Sequence, residues 1–202
     1  MPYAPENELL LVAAARQGDF PAWDRLLRHY QRPLHAFIND LTRDETISLD
    51  LVQDTFIRAV RHLPTLREDS RFGGWLFSIA HQLCCAHLRR TTRNLEDPIA
   101  DNNNPPLDTL HDTSQLQPGE TLLRDETAAT LLATIARLPD AQRTTFTLCV
   151  IEEFSLDEIS RITGVPLGTV KSRLHHARRA LREWLAESPL SPPSPPGSQT
   201  RQ

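Results

Sequence analysis

A chain of 202 residues with 39% hydrophobic content has room for one or two small globular domains, each of which would lean on partners for stability. Seven glycines and few β-branched runs argue against an open sheet, and the Leu, Ala, Arg, Glu and Asp of the periodic stretches favour helix. The net charge of -4 argues against a nucleic-acid binder only until one asks where the charges sit.

Glu6 to Arg16 reads as a first helix, with Gly18 as its stop. Its apolar patch at Leu9 to Ala15 has no positive charge before it, so it is not read as an export signal. Phe20, Trp23, Leu26, Leu27, Tyr30, Leu34, Phe37, Ile38 and Leu41 recur at three and four residues, which predicts one amphipathic helix with Pro33 as a kink point. Leu51, Val52, Thr55, Phe56, Ala59, Val60 and Leu63 form a third stripe that Pro64 ends. Phe72, Trp75, Leu76, Ile79 and Leu83 form a fourth, running on to Leu88 and Arg90.

From Thr91 to Gly119 the chain is rich in Asn, Asp and Pro and has no sustained period, so it reads as a flexible linker. Helical pattern resumes from Leu122 to Leu138, and Asp140 is placed to cap a further helix through Phe154. Ser155 and Glu158 make a capping box for a short helix ending at Gly164, and Pro166 opens a last helix to about Ala186. Beyond Ser188 the Pro- and Ser-rich sequence reads as a disordered tail. The expected fold is all-α: a helical domain over residues 1–93, a linker over 94–121, a second helical domain over 122–187 and a tail over 188–202. No run approaches the about 20 apolar residues of a membrane span. Cys84, Cys85 and Cys149 make a poor disulfide framework, which suits a reducing cytoplasm.

The short helix, the turn at Gly164 and the basic helix after it form a helix-turn-helix pattern. Leu156, Ile159, Ile162, Val165, Val170, Leu174 and Leu181 face inward. Thr169, Lys171, Ser172 and His175 then occupy the turns that reach base edges in a major groove, with His176 beside them. Arg173, Arg178 and Arg179 are better placed for phosphates. The charge map agrees. Residues 70–94 and 161–182 contain arginines and a lysine but no acid, and the tract between them carries Glu96, Asp97, Asp101, Asp108, Asp112 and Glu120. Two basic blocks with an acidic spacer fit a protein that touches DNA twice.

Together with Leu138-Pro139-Asp140-Ala141-Gln142-Arg143, the run Gly168-Thr169-Val170-Lys171-Ser172-Arg173 resembles the C-terminal domain of extracytoplasmic-function sigma factors of bacterial RNA polymerase. In the first half, Asp50-Leu-Val-Gln-Asp-Thr-Phe-Ile-Arg-Ala resembles the polymerase-binding helix of that family. Phe72-Gly-Gly-Trp-Leu-Phe-Ser-Ile-Ala followed by Leu88-Arg-Arg resembles its promoter-melting, minus-ten-reading helix. The three motifs, in this order, cover nearly all of the chain apart from linker and tail.

The resemblance implies roles. Asp50, Gln53, Asp54 and Arg58 would face the clamp helices of the polymerase β′ subunit, and the second domain would dock on the β flap while Thr169 to Arg179 read a minus-thirty-five element. The loop Leu66 to Arg71, with Arg67, Ser70 and Arg71, would hold a flipped base of the non-template strand; extrusion costs a few kcal/mol that contacts must offset. His81, Gln82, Cys85, Arg89 and Arg90 would complete the minus-ten surface, and Trp75 and Phe77 offer stacking faces, although Trp75 lies in the apolar stripe and reads as core. Gln82 and Ala86 stand where the family usually carries Asn and Asp, so its minus-ten preference does not carry over. The implied partners are core polymerase, promoter DNA and, in many members, an anti-sigma factor, with no cofactor.

His81, Cys84, Cys85 and His87 crowd one helix, but adjacent cysteines point about 100° apart and no second pair completes a tetrahedral set, so no metal is expected. No phosphate-binding glycine loop, nucleophile elbow or His-Glu-x-x-His motif suggests an enzyme. The competing reading is a helix-turn-helix activator whose N-terminal helices bind a signal or dimerise; such a protein has no reason to carry the Asp50 to Ala59 motif.

Overall fold

The computed structural model describes residue 5 and residues 7–95 and 130–186; the acidic spacer from 96 onward and the tail from 188 lie outside them. Among the described residues every regular element is helical. Helix α1 spans Glu8–Arg16, and the chain then turns at Gly18 with φ +88°, a conformation that costs glycine little. Helix α2 spans Phe20–Thr42, where the Asp19 carboxylate caps the Ala22 N–H at 3.2 Å and Pro21 falls in the first turn, where no intrahelical bond is lost. Pro33 does not end α2, because Tyr30, Leu34 and Phe37 on either side of it are all buried in the same core.

Helix α3 spans Glu45–His62 and starts ahead of its apolar stripe because Asp44 caps the Ile47 N–H at 3.0 Å. Two single-turn 3₁₀ segments follow, Leu63–Thr65 and Asp69–Arg71, with Pro64 inside the first. Helix α4 spans Phe72–Leu95, so it runs past Arg93 into the segment expected to be linker. The first half is thus a bundle of α1 to α4. Phe72 packs edge-on against Trp23 (6.3 Å between centroids) and Tyr30 (5.6 Å), and Phe77 against Phe37 (5.3 Å). Each such side chain fully removed from water stabilises the fold by about 1.5–3 kcal/mol.

In the second half, α5 (130–136) and α6 (Asp140–Phe146) pack on the last helix, α8 (Leu167–Ala186), through Ile135, Leu138, Ala177 and Leu181. Two expectations fail here. Pro139, not Asp140, occupies the cap position, and the Asp140 carboxylate instead accepts from Arg143 at 2.8 Å. The helix also does not reach Phe154: it widens into a π turn at Thr147–Ile151, and Glu153 takes φ +53°, which a right-handed helix cannot continue through. Helix α7 (Leu156–Thr163) then begins at the expected capping box, the Ser155 N–H donating to Glu158 at 2.9 Å, and ends at Gly164 with φ +71°.

The two halves pack on each other. The main apolar core takes in Leu148, Phe154, Ile159, Ile162 and Val170 of the second half alongside the bundle residues. Phe154 sits edge-on to Phe77 at 5.0 Å. At the end of α2, Arg143, 1% exposed, donates to the backbone oxygens of Leu138 (3.0 Å) and Asp40 (3.1 Å) and lies 3.2 Å from the Asp40 carboxylate. Thr147 donates to that carboxylate at 3.2 Å, and Arg43, in a left-handed turn between α2 and α3, donates to the Ala136 oxygen at 2.9 Å. Burial raises the Asp40 carboxyl above its usual range, against the pull of Arg143.

Candidate polymerase and promoter surfaces

Asp50, Gln53, Asp54 and Arg58 are all exposed, on the outer side of α3. The structure adds what the sequence reading passed over: Leu49, Ile57 and Val60 are also open to water, at 53%, 40% and 48% exposure. With Leu27 and Phe56 they line a groove of about 540 Å³ between α2 and α3, and Gln53 and Arg61 stand at its polar margin. Val60 was expected to face inward. The signal against this was the width of the stripe: Val52, Phe56, Ile57 and Val60 span more of the helix than one neighbour covers. An apolar groove rimmed by charge suits protein docking better than DNA, whose surface is uniformly anionic.

On the opposite side, Arg67, Ser70 and Arg71 are exposed on the loop between α3 and α4, where the Arg71 Nε pairs with Glu68 at 2.6 Å. Arg16, which the sequence reading did not single out, holds the loop from below through the backbone oxygens of Leu63 (3.1 Å) and Leu66 (2.9 Å) and through the Asp69 carboxylate. Gln82, Arg89 and Arg90 are exposed on α4. His81 and Cys85 are half-buried one turn apart, with 3.6 Å between sulfur and Nε2. Burial, and then the charge of Arg173 from α8, lower the His81 pKa. Phe77 is not a stacking face: it is 1% exposed between Phe37 and Phe154. Trp75 is half-buried against Phe72 rather than in the core. Cys84 points into the core, where burial pushes its thiol up to about 12, and among the described residues no three His, Cys, Asp or Glu side chains are grouped to hold a metal.

Along α8, Lys171, Ser172, His175, His176, Arg178 and Arg179 are exposed and Thr169 and Arg173 half-exposed, while Val170, Leu174, Ala177 and Leu181 are buried as the helix-turn-helix pattern requires. Arg179 is tied to Glu183 at 2.8 Å, an exposed pair that solvent screens. Helix α7 does not stand free. A gap of about 210 Å³ is lined by Leu66, Arg71, Gly74, Trp75 and Ser78 on one side and by Glu158, Arg161 and Ile162 on the other. At Gly74 an added Cβ would lie 3.7 Å from the Phe154 ring. The first helix of the helix-turn-helix therefore lies over the part of α4 and its loop that the motif assigns to promoter melting.

The model of sigma-70 region 2 matches residues 26–94 and that of sigma-70 region 4 matches residues 128–181. The RNA polymerase sigma-H factor of Pseudomonas aeruginosa is 33% identical over 89% of this chain and 94% of its own length. The ECF RNA polymerase sigma factor SigE of Mycolicibacterium smegmatis is 31% identical over 91% of this chain and 69% of its own. Among solved structures, the sigma factor RpoE in complex with the anti-sigma factor NepR from Bartonella quintana is similar with a TM-score of 0.61 at 27% identity, over 80% of this chain and 95% of that one. CnrH, solved with the cytosolic domain of CnrY, shares the fold at a TM-score of 0.63 and 22% identity, over 91% of this chain and 99% of that one. With both regions present in order and relatives 33% and 31% identical matched over 94% and 69% of their own lengths, the chain belongs to the extracytoplasmic-function family of RNA polymerase sigma factors.

Proposed function

We propose that the chain directs core RNA polymerase to a dedicated set of promoters by dividing three contacts among its surfaces. The α3 groove, which Gln53 helps to line, and the exposed Asp50, Asp54 and Arg58 of the same helix dock on the β′ clamp helices. The loop from Leu66 to Arg71 and the face of α4 carrying His81, Gln82, Cys85, Arg89 and Arg90 engage and open the minus-ten element. Thr169, Lys171, Ser172, His175 and His176 read the minus-thirty-five element, Arg173, Arg178 and Arg179 grip phosphates, and the second half docks on the β flap. The observation that carries this reading is the contrast of surfaces: one open, largely apolar groove on α3, and two basic faces on α4 and α8. Polymerase supplies the covalent chemistry, so the factor acts without a catalytic group of its own, and its place is with polymerase in the cytoplasm. Residues 1–93 and 122–187 act as the two functional units, joined by the acidic segment. An anti-sigma factor, of the kind named in the RpoE complex, is a further expected partner.

The packing of α7 on α4 adds a condition. DNA reaches the start of α4 beneath α7, at Gly74, Trp75 and Ser78, only after the two halves separate, and polymerase, by holding each half at its own station, supplies the separation and turns two weak contacts into one bivalent reader. The isolated chain is therefore expected to bind duplex DNA poorly. Run-off transcription with core polymerase on a genomic library tests the proposal and recovers the promoter at once. Initiation at a discrete set of new starts is expected; unchanged starts contradict it. On a recovered promoter, Arg178→Ala is expected to weaken binding across sequences and flatten the salt slope by about 0.9. Lys171→Ala is expected to alter minus-thirty-five preference instead.

A further inference from the structure

We propose that Arg16, far from any DNA-facing helix in sequence, is a positioning residue for the base-holding loop between α3 and α4; this rests on the assignment of Leu66 to Arg71 as that loop. Arg16 ends α1, and its guanidinium is a planar fork. One nitrogen donates to the Leu63 oxygen at 3.1 Å and the Pro64 oxygen at 3.3 Å; the other donates to the Leu66 oxygen at 2.9 Å and to the Asp69 carboxylate. The contacts lie 47 to 53 residues away along the chain; the loop's own bonds, from the Leu66 N–H to the Leu63 oxygen and from the Arg71 N–H to the Glu68 oxygen, each 3.0 Å, close the two turns singly, whereas Arg16 ties one to the other.

The fork fixes both 3₁₀ turns at once, the first through Leu63 and Pro64 and the second through Asp69. With these backbone oxygens turned toward Arg16, the side chains of Leu63 and Leu66 go into the core, at 1% and 9% exposure, and Arg67, Ser70 and Arg71 are left facing water. A flipped base is held only by donors already in place, because a loop that must be ordered at the moment of capture gives back binding free energy as entropy. Arg16 supplies that order without touching the base. The rest of α1 is held independently: Val12 and Ala15 are buried, and the Tyr30 hydroxyl donates to Glu8. Loss of Arg16 therefore loosens the loop and leaves the bundle folded.

The test uses full-length factor with core polymerase and a promoter recovered by run-off, randomised through its minus-ten element. Transcript counts give the base preference at each position. Arg16→Ala is expected to reduce discrimination at the extruded position by about tenfold, one step of 1.4 kcal/mol in binding terms, while leaving the other positions, the minus-thirty-five preference and core association as in the wild type. Arg16→Lys restores part of it, since an ammonium is a point charge without the fork. Asp69→Ala moves the same position in the same direction by less. An equal loss at every position together with weakened core association marks Arg16 as plain support of the fold and overturns the proposal, as does a profile identical to wild type. Should Arg16→Ala not fold, Arg16→Lys and Asp69→Ala carry the comparison, and no shift at that position in both overturns it. Failure of the underlying loop assignment looks different: the wild type itself then has no position at which 2-aminopurine reports an unstacked base.

Discussion

The two sides of the N-terminal bundle meet water differently. On α3, Leu49, Ile57 and Val60 stay exposed around a groove that nothing among the described residues fills. On α4, Gly74, Trp75, Ser78 and His81 lie under the second half, which brings Phe154, Ile162 and Arg173 against or near them. Both sides are apolar enough to need a partner; one partner is intramolecular and the other is not. On the proposed assignment the chain keeps its protein-docking side ready and the start of its DNA-melting helix covered, which orders events: polymerase first, promoter second.

The largest expected effect comes from Arg143→Ala. The arginine is buried, lies against the half-buried Asp40 carboxylate and donates to backbone oxygens on both sides of the seam, so its removal leaves these acceptors without their donor and costs about 1–3 kcal/mol. Urea unfolding measures the loss, and solution scattering of the surviving folded fraction reads an increased radius of gyration. An unchanged midpoint and radius break the comparison. Next is Ile57→Asp, which places a charge in the open groove. Core polymerase affinity is expected to fall by about tenfold or more, with stability changed by less than about 1 kcal/mol, because the side chain is already 40% exposed. If stability falls as far as affinity, the groove is not a free surface.

The smaller effects sharpen the covered side. Burial pushes the Glu152 carboxyl, close to the Phe154 contact, from the usual 4.5 up to about 7. Between those values the folded chain holds a proton that the unfolded chain has lost, so stability falls as pH rises through this window and the cost is complete above it. Glu152→Gln is expected to remove that slope and to stabilise the protein by about 1–2 kcal/mol at pH 8, read by thermal unfolding at several pH values. Glu153 follows with φ +53°, and Glu153→Gly is expected to add about 0.5–1 kcal/mol by relieving the left-handed backbone.

How much of this was legible without coordinates depended on how local the cause is. The capping box at Ser155 and Glu158, the stop at Gly164 and the buried stripe of α8 follow from neighbours in the chain, and the structure has them as read. The π turn after Phe146 was not legible, because it follows from Glu153 taking a conformation that Glu seldom takes. Arg16 and Arg143 were not legible either. An arginine in an amphipathic helix reads as solvated, and what engages these two instead are oxygens 50 and 103 residues away. The family motifs assigned roles to particular helices. They did not mark which surfaces are covered, since that depends on the fit of two distant apolar faces.

Hydrogen exchange of the full chain, alone and with core polymerase, tests the order of events most directly. Alone, the amides of 72–83 and 154–163 are expected to be protected; with polymerase, protection should fall there while rising across 49–61. Protection of the seam that is unchanged or increased in the complex, with transcription redirected all the same, would contradict a covered DNA face that polymerase uncovers.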